Sequence, residues 1–313
     1  MPIALTIALF CAGIAIIIKC SDLFVDAASW VSDATGVSKV VIGATLVSFA
    51  TTSPEYFVST IAIIKGYTDL SIGNAVGSLS ANLGVAFAIL ALFTPGLVRD
   101  RLYGAKGLIM TASTAVLLIF CLNGTVSAPE GAILLLLFAF SIFINIRYSK
   151  EGEDPGERAR PAPREIRVNV AKFVGGAAGI IFGSNLIVDN GKLIATHMGV
   201  SEAVIGLTFV AIGTSIPEIA TSIAAAIKKQ PALSIGNIVG ANIIDATLIL
   251  ATGSFISKGA LTVSKTTIGI DLPVTLLLMV LAVLPSALGK KTYRWQGAAM
   301  AAVYAAFLVF TVL

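Results

Sequence analysis

The segment 41–84 has the sequence VIGATLVSFATTSPEYFVSTIAIIKGYTDLSIGNAVGSLSANLG, and the segment 204–247, which begins 163 positions later, has the sequence VIGLTFVAIGTSIPEIATSIAAAIKKQPALSIGNIVGANIIDAT. About 19 of the 44 aligned positions are identical, and the alignment has no gap. Self-similarity at a fixed offset indicates an internal repeat. Each copy carries an acid directly after a proline, Glu55 and Glu218, inside otherwise apolar sequence. Two copies of one polar motif predict one shared site.

The composition is typical of a membrane protein. Of the 313 residues, 57% are hydrophobic and 12% are charged, whereas a soluble domain carries about 25% charged residues. A helix needs about 20 apolar residues to cross the hydrocarbon layer, and the chain offers about ten such segments. We therefore predict an all-α polytopic membrane protein. The predicted spans lie near 2–31, 40–64, 70–94, 104–122, 128–147, 168–195, 203–227, 233–255, 266–288 and 295–313.

The distribution of lysine and arginine predicts the orientation in the cell membrane. With the N-terminus outside, the inside loops and helix ends hold about 16 of the 21 Lys and Arg residues, and the outside holds about four. Positive charge concentrates on the cytoplasmic side of membrane proteins. Both termini are therefore expected outside. Five helices in each half is an odd number, so the second half must enter the membrane inverted, which is typical of secondary transporters.

These features divide the chain into three parts. The first inverted repeat is predicted at 1–147 with its motif at 41–84, and the second at 168–313 with its motif at 204–247. The segment 148–167 between them is rich in proline and in charges of both signs, which favours a cytoplasmic linker. The basic inside loops account for the net charge of +4, so anionic membrane lipid is the expected partner and nucleic acid is not. We expect the chain to function as a monomer.

Each motif should expose oxygen ligands. Proline inside a helix removes one N–H and clashes with the carbonyl four residues back, so Pro54 should free the carbonyl of Ala50. Thr51 and Glu55 are four residues apart and should share a helix face. Such an all-oxygen set suits hard cations like Ca²⁺ and Na⁺, while a single histidine and unclustered cysteines disfavour zinc and copper. The second copy repeats this set as Gly213, Thr214, Pro217 and Glu218.

A second helix in each motif should add further ligands. The GxxxG patterns at 73–77 and 236–240 let two helices approach closely. Asn82 and Asp245 follow on the same helices and could complete a cage with the two glutamates. Three carboxylates near one point cannot all stay ionised without a cation. This leaves open a role for a proton in the cycle.

Other polar residues of the repeats have more than one interpretation. A membrane acid can serve as a structural hydrogen-bonding group, although an intramembrane acid more often indicates function. Asn74 and Asn237 could cap a helix or coordinate an ion. Asp26 and Asp189 extend the repeat upstream, and we expect them to solvate helix ends or to take part in gating.

The motifs resemble those of a known family. Gly-Thr-Ser-Ile-Pro-Glu at 213–218, with Ala-Thr-Thr-Ser-Pro-Glu at 50–55, resembles the α-repeat signature of the cation/calcium exchanger superfamily, most closely its prokaryotic sodium/calcium exchanger branch. The resemblance covers essentially the whole chain. It implies ten helices in two inverted halves, a mid-membrane Ca²⁺ site and alternating access. It also implies a central tetrad of Glu55, Asn82, Glu218 and Asp245, with hydroxyl and carbonyl ligands at Thr51, Thr52, Ser78, Thr214 and Ser215.

The chain departs from the family pattern at several positions. Ala241 stands where the second repeat usually carries a serine, opposite Ser78, and Ser48 is compared with Ala211. One peripheral Na⁺ position would therefore lack a hydroxyl ligand. The Gly-Asn-x-x-Glu pattern typical of proton/calcium exchangers is present in neither repeat, and Asn82 argues against the potassium-dependent branch, which usually has aspartate there.

The leading hypothesis is an antiporter that exchanges cytoplasmic Ca²⁺ for Na⁺, with no cofactor and no enzymatic activity. Ca²⁺ and Na⁺ would compete for the same carboxylates, and H⁺ stays open as the alternative driving ion. A passive cation channel is a weaker alternative, because an inverted repeat within one chain favours alternating access. An intramembrane enzyme would need a nucleophile with its base or a close pair of catalytic acids, and a duplicated threonine, proline and glutamate motif does not favour that chemistry.

Overall fold

The structure is a computed structural model, and it describes residues 2–96, 102–147, 161–197, 213–257 and 260–312. Within these ranges the chain is almost entirely helical. The helices of the first half are α1 (Ile3–Thr35), α2 (Lys39–Thr51), α3 (Ser53–Ile64), α4 (Thr68–Phe93), α5 (Leu102–Cys121) and α6 (Ala128–Arg147). Those of the second half are α7 (Pro163–His197), α8 (Ile216–Ile227), α9 (Pro231–Ile256), α10 (Thr267–Gly289) and α11 (Arg294–Val312).

The helices are those of a multi-pass membrane protein. Seven of them are long and apolar enough to cross a membrane: α1, α4, α5, α6, α7, α9 and α10. Large apolar side chains such as Ile64, Leu136 and Phe143 are exposed on the outside of the bundle. Hydrocarbon rather than water suits such a surface. The predicted class is confirmed, whereas the count of ten crossings stays a prediction.

Some predicted segments lie outside the described residues or have other bounds. Residues 148–160 of the predicted linker and 204–212 of the second motif, including Ala211, are not described. Helix α7 begins at Pro163, so residues 163–167, which were assigned to the linker, are helical. Proline is well suited to a first helical position, and the Glu165 carboxylate accepts a hydrogen bond of 3.0 Å from the Ala162 N–H just before the helix.

One short sheet departs from the all-helical prediction. Strand β1 (Thr125–Ser127) pairs antiparallel with β2 (Ala260–Thr262), with Val126 opposite Leu261. Both of these apolar residues are buried. The two strands are far apart in sequence and only three residues long each, so no local pattern predicts them.

A break in the helical backbone ends α2, and a break with the same backbone conformation precedes α8. Thr52 (φ −81°, ψ 0°) separates α2 from α3, and Ser215 (φ −82°, ψ −1°) precedes α8 in the same conformation. The two residues are 163 positions apart. The repeat in sequence is therefore a repeat in backbone geometry.

These breaks correct the prediction that the prolines lie inside helices. Pro54 and Pro217 instead lie in the first turn of α3 and α8, where a missing N–H removes no helical hydrogen bond. Thr51 is the last residue of α2, while Glu55 lies in the first turn of α3. Thr51 and Glu55 therefore do not share a face of one helix but lie on either side of the break.

Two pairs of helices pack through glycine. A Cβ at Gly236 would lie 2.3 Å from the carbonyl oxygen of Val40, and one at Gly240 would lie 2.6 Å from that of Ala44. The 236–240 glycines thus bring α9 against α2, as the GxxxG pattern predicts. Residues 203 and 207, which correspond to Val40 and Ala44 in the second repeat, lie outside the described residues, so the equivalent packing of the 73–77 glycines stays a prediction.

The longest helices, α1 and α7, also pack closely. A Cβ at Gly13 would lie 2.9 Å from the carbonyl oxygen of Gly183, and one at Gly176 would lie 2.9 Å from Cβ of Phe24. From the first contact to the second, the residue number rises along α1 and falls along α7, so the two helices are antiparallel. This is the relation expected of corresponding helices in two inverted halves.

Candidate cation site

The four residues of the predicted tetrad lie at irregular points of the buried helices. Glu55 and Glu218 occupy the first turns of α3 and α8, where the helix N-terminus favours negative charge. Asn82 begins a π-helical turn within α4, and Asp245 is the second residue of the corresponding π-helical turn within α9. Single π turns inside α-helices occur frequently at functional sites. All four side chains are at most 1% exposed.

The structure brings the acids of both repeats together. The carboxylate of Glu55 is close enough to repel those of Glu218 and Asp245. Asp245 and Glu218 are likewise within electrostatic range of each other. The helix α8, which carries Glu218, packs against the π turn that begins at Asn82. Nothing in the sequence of either repeat alone specifies this convergence.

Several oxygens of this cluster are buried and have no hydrogen-bond partner among the described residues. They are Oε1 and Oε2 of Glu55, Oε2 of Glu218, Oδ1 of Asn82, and Oδ1 and Oδ2 of Asp245. A buried carboxylate oxygen without a partner is energetically unfavourable. A cation bound among these oxygens would remove that penalty, because Ca²⁺ takes six to eight oxygen ligands in flexible geometry.

The carboxylates do not form a complete metal cage by themselves. Within the described ranges, no group of three or more His, Cys, Asp or Glu side chains is placed to hold a metal ion. A bound ion would need amide, hydroxyl or carbonyl oxygens as well. Of the predicted backbone ligands, Gly213 is buried and Ala50 is partly buried.

Hydrogen bonds connect the two repeats symmetrically. We call two residues that are 163 positions apart repeat mates. Thr51 Oγ1 donates to Asn237 Oδ1 at 3.2 Å, and its mate Thr214 donates through Oγ1 to Asn74 Oδ1 at 2.9 Å. Each threonine ahead of a break is thus held by an asparagine of the opposite repeat. This geometry relates the halves by an approximate twofold symmetry.

The nitrogens of the two asparagines complete the same arrangement. Asn74 Nδ2 donates to Ser59 Oγ at 3.0 Å, and Asn237 Nδ2 donates to Ser222 Oγ at 3.3 Å. Because both ends of each amide are hydrogen-bonded, these asparagines position the helix breaks and do not cap helices. The sequence analysis missed the two serines, although they are identical repeat mates and could have been found from that match.

The symmetry fails at one pair of positions. Thr52 Oγ1 donates to Glu218 Oε1 at 2.8 Å, whereas its mate Ser215 donates through Oγ to Ser78 Oγ at 2.8 Å. The mate of Ser78 is Ala241, which has no hydroxyl. Thr52 therefore has no serine hydroxyl at the position equivalent to Ser78, and it donates its hydrogen bond to the Glu218 carboxylate instead.

A cavity of about 310 Å³ opens beside one half of the site. Val58 and Leu70 in its lining are 37% and 46% exposed, but their repeat mates Thr221 and Leu233 are 1% and 0% exposed. These repeat mates therefore differ in their exposure. The cavity is also lined by Pro54, Ser184, Asn185, Val188, Gly213, Thr214 and Pro217.

Ion pairs join α1 to the segment just past α8. Lys228, just past α8, lies with Nζ 2.7 Å from Asp26 Oδ1 and 3.7 Å from Asp22 Oδ1 of α1. The mates of Lys228 and Asp26 are Lys65 and Asp189, and in the part of the chain that the structure describes no ion pair joins them. Asp26 thus contacts the opposite repeat, although Asp26 and Asp189 are both exposed. Their expected role in helix-end solvation or gating stays a prediction.

Buried acids at paired helix breaks, contributed by two related halves, define a membrane transporter of cations. The chain belongs to the sodium/calcium exchanger protein family, whose pattern matches residues 5–147 and 168–313. The resemblance noted from the motifs is therefore confirmed. Members of this family are exchangers of inorganic cations, so the prediction of a transporter rather than an enzyme is also confirmed.

The similarity to individual proteins supports the assignment to this family. The inner membrane protein YrbG of Escherichia coli (strain K12) is 31% identical over 263 residues, which cover 82% of this chain and 81% of that protein. The sodium/calcium exchanger MaX1 of Methanosarcina acetivorans is 27% identical over an alignment covering 95% of each chain. A solved structure of the sodium-calcium exchanger NCX_Mj superposes with a TM-score of 0.86 at 29% identity, covering 98% of this chain and 99% of that one.

Proposed function

We propose that this chain exchanges Ca²⁺ for Na⁺ across the cell membrane, with both ions competing for one carboxylate site. The observation that carries the proposal is the set of buried, unpartnered oxygens on Glu55, Glu218, Asn82 and Asp245. Relatives named as sodium/calcium exchangers support this choice of ions.

Ca²⁺ would occupy the centre between Glu55 and Glu218. Asn82, Asp245 and carbonyl oxygens beside the two helix breaks would complete its shell. The proposed carbonyl and hydroxyl ligands of the two transported ions, Ca²⁺ and Na⁺ taken together, are Ala50, Thr51, Thr52, Ser78, Gly213, Thr214 and Ser215. Na⁺ would approach the same carboxylates from the sides, near Thr214 and Ser78 and near Thr51 and Ala241, because the hydrogen bonds of Ser215 and Thr51 pair these residues across the repeats. Because both ions need the same negative charge, they exclude each other, and this exclusion couples their transport.

Alternating access would use the helices that lack the motif. Helices α1 and α7 pack along each other through glycine, and each is well placed to cover one entrance of the site. The cavity beside Val58 is the proposed open entrance, and the ion pairs of Lys228 help to close the other one. If the lysine and arginine distribution reports the topology, with both termini outside and 148–167 cytoplasmic, this conformation opens to the outside.

One observation favours H⁺ as a second candidate for the driving ion. Three buried carboxylates lie within electrostatic range of one another, and like charges so placed cannot all stay ionised without a bound cation. A proton could then replace Na⁺ as the ion that competes with Ca²⁺.

Uptake of radioactive Ca²⁺ into proteoliposomes under imposed Na⁺, K⁺ or H⁺ gradients tests the proposal. A Na⁺ gradient, and not a K⁺ gradient, should drive uptake in the wild-type protein. Uptake that follows only the H⁺ gradient would favour the second candidate, and Ca²⁺ flux without any counter-ion would indicate a channel. Asp69→Asn is the matched control for the site acids, because Asp69 also lies in a first helical turn but is exposed.

A further inference from the structure

Asn242 is an asparagine beside the site to which the sequence analysis assigned no role. It is fully buried near the end of the α-helical part of α9 (Pro231–Ile243). Its Oδ1 accepts a hydrogen bond of 3.1 Å from Nδ2 of Asn82. Its own Nδ2 donates to Sδ of Met110 in α5 at 3.6 Å. A hydrogen-bonded chain therefore leads from α5 through α9 to a proposed cation ligand.

Met110 determines the direction of this chain. A thioether sulfur accepts hydrogen bonds weakly and donates none. Asn242 must therefore turn Nδ2 toward Met110 and Oδ1 toward Asn82. Asn82 then has to present Nδ2 to Asn242, and its Oδ1 is the end that stays buried, with no hydrogen-bond partner in the part of the chain that the structure describes.

The direction matters because a side-chain amide binds a cation only through its oxygen. If the Asn82 amide turned over, its NH₂ group would replace the ligand oxygen and repel the ion. We propose that Asn242 is a positioning residue that holds the amide oxygen of Asn82 toward the transported cation. This inference rests on the proposed function, because it takes Asn82 as a ligand of that cation.

The repeat supplies an independent argument. The mates of Asn82 and Asn242 are Asp245 and Leu79. A carboxylate offers an acceptor oxygen at either end and needs no partner to choose between them. The chain accordingly has a buried leucine where the ligand is a carboxylate, and a buried asparagine where the ligand is an amide.

The primary test is Asn242→Leu, which keeps a similar volume and introduces the residue that already occupies the mate position. Loss of a buried hydrogen bond that orients a ligand should raise the Ca²⁺ concentration for half-maximal exchange about tenfold. In the Asn82→Ala background the same substitution should change that concentration by less than about twofold, because the group it positions is gone. In the Asn82→Asp background it should also have little effect, since a carboxylate has no wrong end.

Thr275→Val is the matched control. It removes a buried hydrogen bond of 2.6 Å between Thr275 and Ser80, which lies on the same helix as Asn82. This variant should lose thermal stability and keep the wild-type Ca²⁺ dependence. Stabilisation of the purified protein by added Ca²⁺ in thermal unfolding gives a second readout that does not need transport.

Two results would overturn the inference. One is a wild-type Ca²⁺ dependence in Asn242→Leu. The other is an equal loss from Asn242→Leu with and without Asn82, which would mean a purely structural role.

If Asn242→Leu does not fold, Met110→Leu replaces it. That variant should raise the half-maximal concentration about threefold, and no change would again overturn the inference. If Glu55→Gln and Glu218→Gln are both active, the proposed function itself fails; if both are inactive while Asn242→Leu behaves as wild type, only this inference fails.

Discussion

The missing hydroxyl at position 241 gives a direct test of where Na⁺ binds. Ser78 carries a hydroxyl that accepts a hydrogen bond of 2.8 Å from Ser215, whereas its mate Ala241 is buried and has none. Because Ser215 is bonded to Ser78 and Thr51 is bonded to Asn237, one turn from Ala241, we expect the Na⁺ position near Thr51 and Ala241 to be weaker than the one near Thr214 and Ser78. Ala241→Ser should therefore lower the Na⁺ concentration for half-maximal exchange, and Ser78→Ala should raise it.

The magnitude follows from the number of groups that change. One neutral hydroxyl is added or removed, and a single neutral polar interaction contributes about 0.5–1.5 kcal/mol. This corresponds to a change of about two- to tenfold in the half-maximal Na⁺ concentration. Ca²⁺ at the centre depends chiefly on the carboxylates, so its half-maximal concentration should move by less than about twofold.

The assay is Ca²⁺ uptake into proteoliposomes at a series of Na⁺ concentrations and at constant pH. Ala251→Ser is the matched control, because Ala251 is buried on the same helix but about 15 Å farther along it, at 1.5 Å per residue. It should leave both ion dependences unchanged. If exchange ignores Na⁺ in both site variants and follows pH, the driving ion is H⁺ and the reasoning about position 241 is refuted.

Three further predictions concern the acids, the topology and the closed half. Glu55→Gln and Glu218→Gln should each reduce Ca²⁺ transport at least about 100-fold while the protein stays folded, because each removes charge that balances a buried divalent ion; near-normal flux from either variant would contradict the site. In a background without the three native cysteines, cysteines introduced at Ser149 and Thr311 should be labelled from opposite sides of intact cells, and labelling from one side would contradict the odd number of helices per half. Lys228→Met should make a cysteine placed in the half that carries Lys228, which is proposed to be closed, react faster with thiol reagents. The energetic effect should be small, about 1 kcal/mol, because the ion pairs are partly exposed. An unchanged rate of labelling would mean that the ion pairs do not keep this half closed.

Much of the membrane architecture could be predicted from sequence, because hydrocarbon imposes simple rules on a chain. A spanning segment must satisfy its backbone hydrogen bonds within a helix and present apolar side chains to lipid. The predicted segments near 70–94 and 233–255 accordingly correspond to α4 (Thr68–Phe93) and α9 (Pro231–Ile256). The two three-residue strands were missed because their pairing depends on contacts between distant parts of the chain.

The candidate site was predictable in its residues and less so in its geometry. A buried acid after a proline, repeated at Glu55 and Glu218, is rare enough to point to a site. The position of the break was predicted wrongly, since proline marks a helix disruption but does not say which residue leaves the helix. Thr52 and Ser215 break the helices just ahead of the prolines, so that the acids begin new helices.

The membrane class, the duplication and the list of polar residues follow from the sequence alone, because hydropathy, periodicity and identity at a fixed offset are local properties. Which of these residues meet depends on the tertiary structure. The bonds from Thr51 to Asn237 and from Asn82 to Asn242 join opposite repeats, and no property of one segment predicts them. The different exposure of Val58 and Thr221 likewise belongs to the conformation. Two nearly equivalent halves can pack in an unequal way, because the packing of the whole bundle, and not the repeat alone, determines how exposed each residue is.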